Sequence, residues 1–503
     1  MRLPGMSNMR ALLKRYAWKG LATAGLAATV AGTMGQYDTK VKTWWEAGDT
    51  DTLPLFAFFQ DHTGQLLLYN YDGPVSAAQN SFFQPMGSNG RACITCHQPA
   101  NAMSLSTDTL QTRWDETKGK DPVFAAIDGS NCPTLPQGDK RSHSLLLNRG
   151  LFRIYLPWPG KDSAGKPVVP EFTIEVVRDP TGCNSDATYG LKSEHPAISV
   201  YRRPRMVANL KYVMGSEDAF DLSGHPKAGA LTADGRETTL EAQAISAVYE
   251  HEQGKSKPTD AQLKQILAFE RQVFTAQSDD VIGGDLAEVD GPKALSAWNL
   301  ARSKVDGGPV SPTHAVFLNS SDWRTFGSNA KSSSPEKDFR ASVVRGNAIF
   351  STRPFVISEA ANLNGHPGGK AVEGTCATCH KAALVGTDPK NGWMDVGTTV
   401  MPTAEDSPDL PLFKITCKVG AAHPYRGRVV YTNDPGRALT TGKCSDIGSV
   451  VMQQFRGLSA RAPYFSNGSA KDLGAVVDYY DRRFQIHLSD QERQDLVNFM
   501  SVL

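Results

Sequence analysis

The chain has 503 residues, a formal net charge of +1, 21% charged and 40% hydrophobic residues. That is an ordinary globular composition with room for two or more domains, and its 45 Gly and 30 Pro point to long ordered loops. Near-neutral charge with no extended basic block excludes an electrostatic platform for nucleic acid.

The N-terminus carries Arg2, Arg10, Lys14, Arg15 and Lys19 and no acid before Ala31, and the apolar, small-residue run GLATAGLAATVAGT occupies Gly20–Thr33. This is the pattern of a secretory signal, with cleavage near Ala31. A retained membrane anchor is the alternative, because the run is close to the shortest that spans a bilayer. Without these residues the chain is mildly acidic, and no second candidate span follows.

GRACITCHQPA at Gly90–Ala100 places Cys93, Cys96 and His97 within five residues. A thioredoxin-like dithiol needs a βαβ setting and no His. A c-type haem needs all three residues, because both thiols add to the haem vinyl groups and the His ligates the iron. TCATCHK at Thr375–Lys381 repeats the pattern with Cys376, Cys379 and His380, so two covalent haems are expected. A zinc ion held by the pooled pairs (Cys93, Cys96, Cys376, Cys379) is the competing reading, although such pairs normally lie closer in sequence. Four cysteines remain. An even remainder in an exported chain suggests disulfides, Cys132–Cys183 and Cys417–Cys444 being the pairing that keeps one bridge in each half. Four buried free thiols are the alternative.

Between the motifs, FTIEVV and similar pieces within Leu151–Val200 read as short strands. Thr238-Thr239-Leu240-Glu241 reads as a capping box opening a helix through about Gln253. Thr259-Asp260-Ala261-Gln262 opens another, with Leu263, Ile266, Leu267, Phe269, Val273 and Phe274 on its apolar side. The polar segment SNAKSSSPEK (Ser328–Lys337) reads as a linker, and a helix starts near Phe339 with Val343, Val344 and Ile349 inward. Ser489-Asp490-Gln491-Glu492 caps a terminal helix carrying Leu496, Val497 and Met500. The expected class is mainly α with long loops and minor β. The expected boundaries are a signal or anchor at 1–31, an N-terminal domain with long insertions at 32–327, a linker at 328–338 and a C-terminal domain at 339–503.

One motif per half, together with DGRETTLEAQA (Asp234–Ala244), AISVYRRP, DPVFAAIDGSNCP, RGLSARAPYFSNGSAKDLGAVVDYYDRRF (Arg456–Phe484) and the terminal LSDQERQDLVNFM, resembles the bacterial di-haem cytochrome c peroxidase and MauG superfamily from about Phe82 onward. The resemblance implies two cytochrome c-like haem domains. Peroxide is met at the N-terminal haem, and a low-spin C-terminal haem relays electrons. It implies proximal ligands His97 and His380, a distal Gln at Gln243, and Tyr480, or else its neighbour Tyr479, as sixth ligand of the second haem. A calcium ion between the halves is usual in that family.

Classical members supply a removable His to the first haem, but Gln98–Cys132 contains none and the next is His143, so an open sixth position is expected, as in the MauG branch. Met103 is the rival that would close it. Gln243, Ala247, Glu250 and His251 share one helix face, which makes Glu250 or His251 the candidate proton carrier; a solvated helix rim would read the same way. The Trp that many relatives place before Asp-Gly-Arg is Ala233 here, which leaves Trp298 as an unplaced electron route. The His usual after Pro-Tyr-Phe is Ser466. The expected activity is peroxide reduction in the periplasm with electrons from a small cytochrome c or cupredoxin. The alternatives are MauG-type or rubber-oxygenase-like oxidation of a protein or organic substrate, and a non-enzymatic di-haem electron carrier.

Overall fold

The computed structural model describes residues 41–161, 166–214, 231–287, 334–360, 369–387 and 393–503, with a few residues between these segments. The expected signal or anchor at residues 1–31 and residues 328–333 of the expected linker lie outside them. Helix accounts for 33% and strand for 19%, with 12 helices and six small sheets among the described residues. The expected mainly α class is therefore wrong. Two apolar hairpin strands, Phe56–Gln60 and Gly64–Asn70, pair antiparallel, and Val273–Asp280 adds to the second of them before the short strand Gly284–Asp285. Val273 and Phe274 leave the helix they were expected to extend. The helix ends at Gln272, and the β-branched and aromatic residues that follow gain a ladder against Gly64–Asn70.

This sheet packs on the first motif through a core of Leu66, Leu68, Phe82, Ile94, Met103 and Phe269. In the C-terminal part, helices Pro335–Thr352 and Asp490–Ser501 cross closely. A Cβ on Gly346 would sit 2.0 Å from the Asp495 carbonyl oxygen, so only glycine fits there. Arg345 and Ser342 both bind the Asp495 carboxylate across this crossing, at 2.8 and 2.6 Å. The first of these helices opens at Pro335, capped by Ser334, four residues before the expected start. The expected linker's last residues, Pro335–Asp338, are thus helical.

Phe172–Arg178 is a strand, as its alternating pattern implies, and it pairs with Leu412–Cys417, which also pairs with Val429–Thr432. Phe152–Pro157 pairs with Ala197–Arg202. Disulfides Cys132–Cys183 and Cys417–Cys444 tie this region, spanning 51 and 27 residues. On chain entropy each contributes about 4 kcal/mol. Among the described residues no helix is long and apolar enough to cross a membrane.

Candidate functional site

The two Cys-x-x-Cys-His motifs are built alike. Each is a single helical turn, Cys93–Cys96 and Cys376–Cys379. The Thr before the second Cys turns back in both: Thr95 Oγ1 accepts from the Ala92 amide at 3.1 Å, and Thr378 Oγ1 from the Thr375 amide at 2.9 Å. His97 Nδ1 lies 3.1 Å from the Met103 carbonyl, and His380 Nδ1 lies 3.1 Å from the Gly386 carbonyl, each six residues downstream. A carbonyl only accepts, so Nδ1 carries the proton and Nε2 keeps a free lone pair, the usual orientation of a metal-binding imidazole. Burial pushes both imidazoles down to about 4, so both are neutral, the ligating form. The four motif thiols are free, while the other four cysteines are bridged.

His97 borders one cleft together with Cys96, and His380 another together with Cys376 and Cys379. Arg203, Pro204, Gln453 and Gln454 line both clefts and form the wall between them. The four thiols do not converge, and among the described residues no group of three His, Cys, Asp or Glu side chains could hold a metal. The pooled zinc site is therefore not formed. Two separate clefts, each with an attachment motif and an oriented His, fit two haems.

Opposite His97 stands the helix Leu240–Glu250. Thr239, rather than Thr238, caps it by accepting from the Ala242 amide, so Glu241 closes no capping box. Leu240, Gln243, Ala247 and His251 face the cleft. The helix stops at Glu250, short of the expected Gln253, and His251 is its C-cap. His251 Nδ1 lies 2.7 Å from Asp128 Oδ2, which leaves Nε2 for the cleft. Asp128 Oδ1 in turn accepts from Arg91, which also donates to the Pro122 and Val123 carbonyls. Burial opposes ionisation of Asp128, but Arg91 and His251 outweigh it and hold the carboxyl below its usual range. Glu250, expected beside His251, turns outward at the rim, where Arg236 and Ser246 bind it at 2.9 and 3.0 Å. The carboxylate gains two partners there and none in the cleft. Gln253 is exposed in a left-handed turn, φ +56°. Its neighbour Glu252 is buried, accepts from the Met86 amide and approaches Cys93 Sγ at 3.8 Å, and burial raises its carboxyl to about 7.

Met103 is fully buried, and its side chain packs into the core with Ile94 and Phe82. Its own carbonyl holds His97 Nδ1, so the residue stands behind the imidazole, away from Nε2. His143 lies between Trp114 and Phe124, with both ring nitrogens against carbonyls, outside the cleft.

The His380 cleft is lined mainly by apolar side chains, among them Phe350, Ile357, Val477 and Phe484. Tyr480 lies edge-on to His380, with ring centroids 6.4 Å apart, and lines the cleft. Tyr479 donates its hydroxyl to the Val396 carbonyl at 2.7 Å and is not part of the lining. Met394, Met452 and Met500 line it as well, as does Ser466 at the usual His position.

Ala233 borders the His97 cleft, and its carbonyl accepts from the Val451 amide at 2.8 Å. Trp298 packs instead on Phe56 and Tyr69, outside both clefts. The indole near Asp-Gly-Arg comes from Trp393, a residue the sequence did not single out. A Cβ on Gly235, whose φ is +69°, would lie 2.4 Å from its Nε1. Asp128 was likewise missed: it meets His251 across 123 residues, and a paired carboxylate at that separation leaves no local pattern.

No family model matches the chain. Over 145 residues the chain is 30% identical to the cytochrome-c peroxidase IdrP1 of a Pseudomonas sp. (strain SCT), covering 25% of this chain and 36% of that protein. The matched region thus spans about a third of the relative's length. Among solved structures, the hydrazine synthase of Kuenenia stuttgartiensis pressurised with xenon aligns at 14% identity and a TM-score of 0.29, covering 60% of this chain and 73% of that one. A TM-score that low carries no argument.

Proposed function

We propose that this chain is a haem peroxidase-like oxidoreductase that carries two covalent haems, at Cys93, Cys96 and His97 and at Cys376, Cys379 and His380, and reduces hydrogen peroxide in the first cleft. The observation that carries the reading is His251, pinned by Asp128 and facing the His97 cleft beside Gln243. The likeness of part of the chain to a cytochrome-c peroxidase supports it. When bound, each iron porphyrin supplies a one-electron centre, reached by the electrons that cleavage of the O–O bond consumes.

The chain's own residues do the rest. His97 and His380 present neutral Nε2 atoms on one side of each cleft. His251 Nε2 takes the proton from the near oxygen of peroxide and returns it to the far oxygen, which then leaves as water. Asp128 keeps the His251 tautomer fixed and stabilises the imidazolium formed in between, as a buried carboxylate does for a catalytic His. Gln243 offers an amide to orient the substrate. Two electrons and two protons convert each peroxide to two waters. The electrons enter through the His380 cleft from a small donor protein, a cytochrome c or cupredoxin, and cross the Arg203–Pro204 and Gln453–Gln454 wall beside Trp393. Tyr480, which lines the His380 cleft, would help to hold the second haem there alongside His380. The two disulfides support maturation in an oxidising compartment, the periplasm.

The test is an optical spectrum of the haem-loaded ferric protein before and after one equivalent of peroxide. A high-spin band that is lost on addition is expected. If both haems are low-spin and inert, in the half-reduced protein too, the chain is an electron carrier and the reading fails. Turnover with a reduced cytochrome as donor separates peroxide reduction from oxidation of a protein or organic substrate, which the same cleft would serve.

A further inference from the structure

The arginines at and around the two clefts fall into two groups. Arg202 is neutralised by two carboxylates, Asp434 at 2.6 and 2.9 Å and Asp234 at 2.6 Å, and Arg91 by Asp128. Buried Arg203 and Arg461 and half-buried Arg205 have no such partner: among the described residues no carboxylate pairs with any of them. Arg203 donates to the carbonyls of Leu105, Arg149 and Arg461. Arg461 donates to those of Arg456 and Gln454, at 3.2 and 2.6 Å. Arg205 reaches the Met452 carbonyl at 3.2 Å with Nη2, while its Nη1 is buried without a partner among the described residues. Burial pushes Arg203 down to about 9 and Arg205 and Arg461 down to about 10, and the charge of Arg461 adds to the burden on the other two.

Carbonyl dipoles do not cancel a full charge, and an uncompensated buried cation costs several kcal/mol. All three stand where the clefts meet: Arg203 lines both, Arg205 the His97 cleft and Arg461 the His380 cleft. The place therefore calls for anions from both sides. A haem carries two carboxylate side chains on one edge, and a guanidinium is the group best shaped to hold a carboxylate.

We propose that Arg203, Arg205 and Arg461 form one cationic cradle in the wall between the clefts, and that it binds the propionate carboxylates of both haems so that their acidic edges face each other there. The inference rests on the two-haem reading. It adds to that reading which edge of each group points inward and which residues neutralise it. The same chemistry would also accept a diffusible anion such as phosphate, and the experiment separates the two.

The intact mass of the haem-loaded protein is measured first. Fewer than two haem additions overturns the two-haem reading and the cradle with it. With two additions present, the midpoint potentials of both haems are titrated in wild type, Arg203→Gln, Arg461→Gln and Arg461→Lys, with and without phosphate. Loss of a cation beside a haem favours the ferric state, so Arg203→Gln lowers both potentials and Arg461→Gln chiefly that of the His380 haem, while Arg461→Lys stays near wild type. Unmoved potentials in both Gln variants overturn the cradle, and so does a wild-type potential that shifts with phosphate. Should the Gln variants fail to fold, the wild type alone decides. Propionates held by arginine stay ionised, so their resonance Raman bending bands stay constant between about pH 5 and 8, whereas bands that titrate in that range count against the cradle.

Discussion

Behind the imidazole the two clefts are the same object, and in front of it they are opposites. Both motifs use a one-turn helix, a Thr that caps it and a carbonyl six residues on that orients the His. Facing His97 are Gln243, His251 and, through it, Asp128, whereas facing His380 are Tyr480, methionines and aliphatic side chains. The environment below the thiols differs too. Cys93 sits near the buried carboxylates Glu252 and Glu270, while the main influence on Cys376 besides burial is Cys379. One proximal design thus serves two tasks, and the opposite wall decides which. On the proposed reading, the polar wall serves proton chemistry and the apolar wall serves electron relay.

His251→Ala tests this contrast most severely. Peroxide turnover should fall by about 10²–10⁴-fold in steady-state kcat, with the optical spectrum unchanged. A new high-spin signal with turnover retained would instead make His251 an iron ligand. Glu252→Gln probes the carboxylate under the first motif. Its carboxyl, raised from 4.5 to about 7 by burial, holds a proton more tightly in the folded chain than in the unfolded one. Its contribution is therefore fully present below the ordinary carboxyl range and is lost as pH rises towards 7. Urea denaturation of the haem-loaded protein should show stability falling by about 3 kcal/mol over that window, a fall that is absent in the variant. A slope shared by both proteins would mean that Glu252 is solvated.

Asp128→Asn should cost about 10–100-fold in kcat/KM, the usual loss when the partner that orients a functional His is removed. Near-wild-type kinetics would leave His251 acting without its anchor. Tyr480→Phe should leave peroxide binding in the first cleft intact and change only the second haem, whose ferric spectrum gains high-spin character. If that spectrum is unaltered, the ligand is Met394, Met452 or Met500, all of which line the same cleft.

What could be read from the chain was whatever is fixed locally. The two Cys-x-x-Cys-His motifs were legible because each lies within five residues, and both form the same single helical turn with an oriented His. The caps at Thr259 and Ser489 were legible because a capping box closes within four residues, and both form as expected. The disulfides followed from having one pair in each half. Strands within Leu151–Val200 were legible, but the four-stranded sheet was not: Phe56–Gln60 and Gly64–Asn70 are nearly continuous apolar runs without alternation, and Val273 and Phe274 prolong a helical pattern until a distant strand claims them. In the site, Gln243 and His251 were read from one helix face. Glu250 was misplaced because a helical wheel does not show Arg236, and Asp128, Trp393 and the arginine cluster were invisible because each acts on a residue far along the chain.

The three-stranded sheet bears on how such a chain is made. Phe172–Arg178 is an edge without a partner until Leu412–Cys417 exists, and that segment lies beyond the second attachment motif. A chain threaded outward from its N-terminus delivers Cys93, Cys96, Cys132 and Cys183 long before this partner arrives. The Cys132–Cys183 bond, if made at that stage, forms on a segment with an open strand edge, the kind that recruits wrong neighbours. The length of that exposure is set by how fast the rest of the chain is delivered, not by the intrinsic folding speed of the first half.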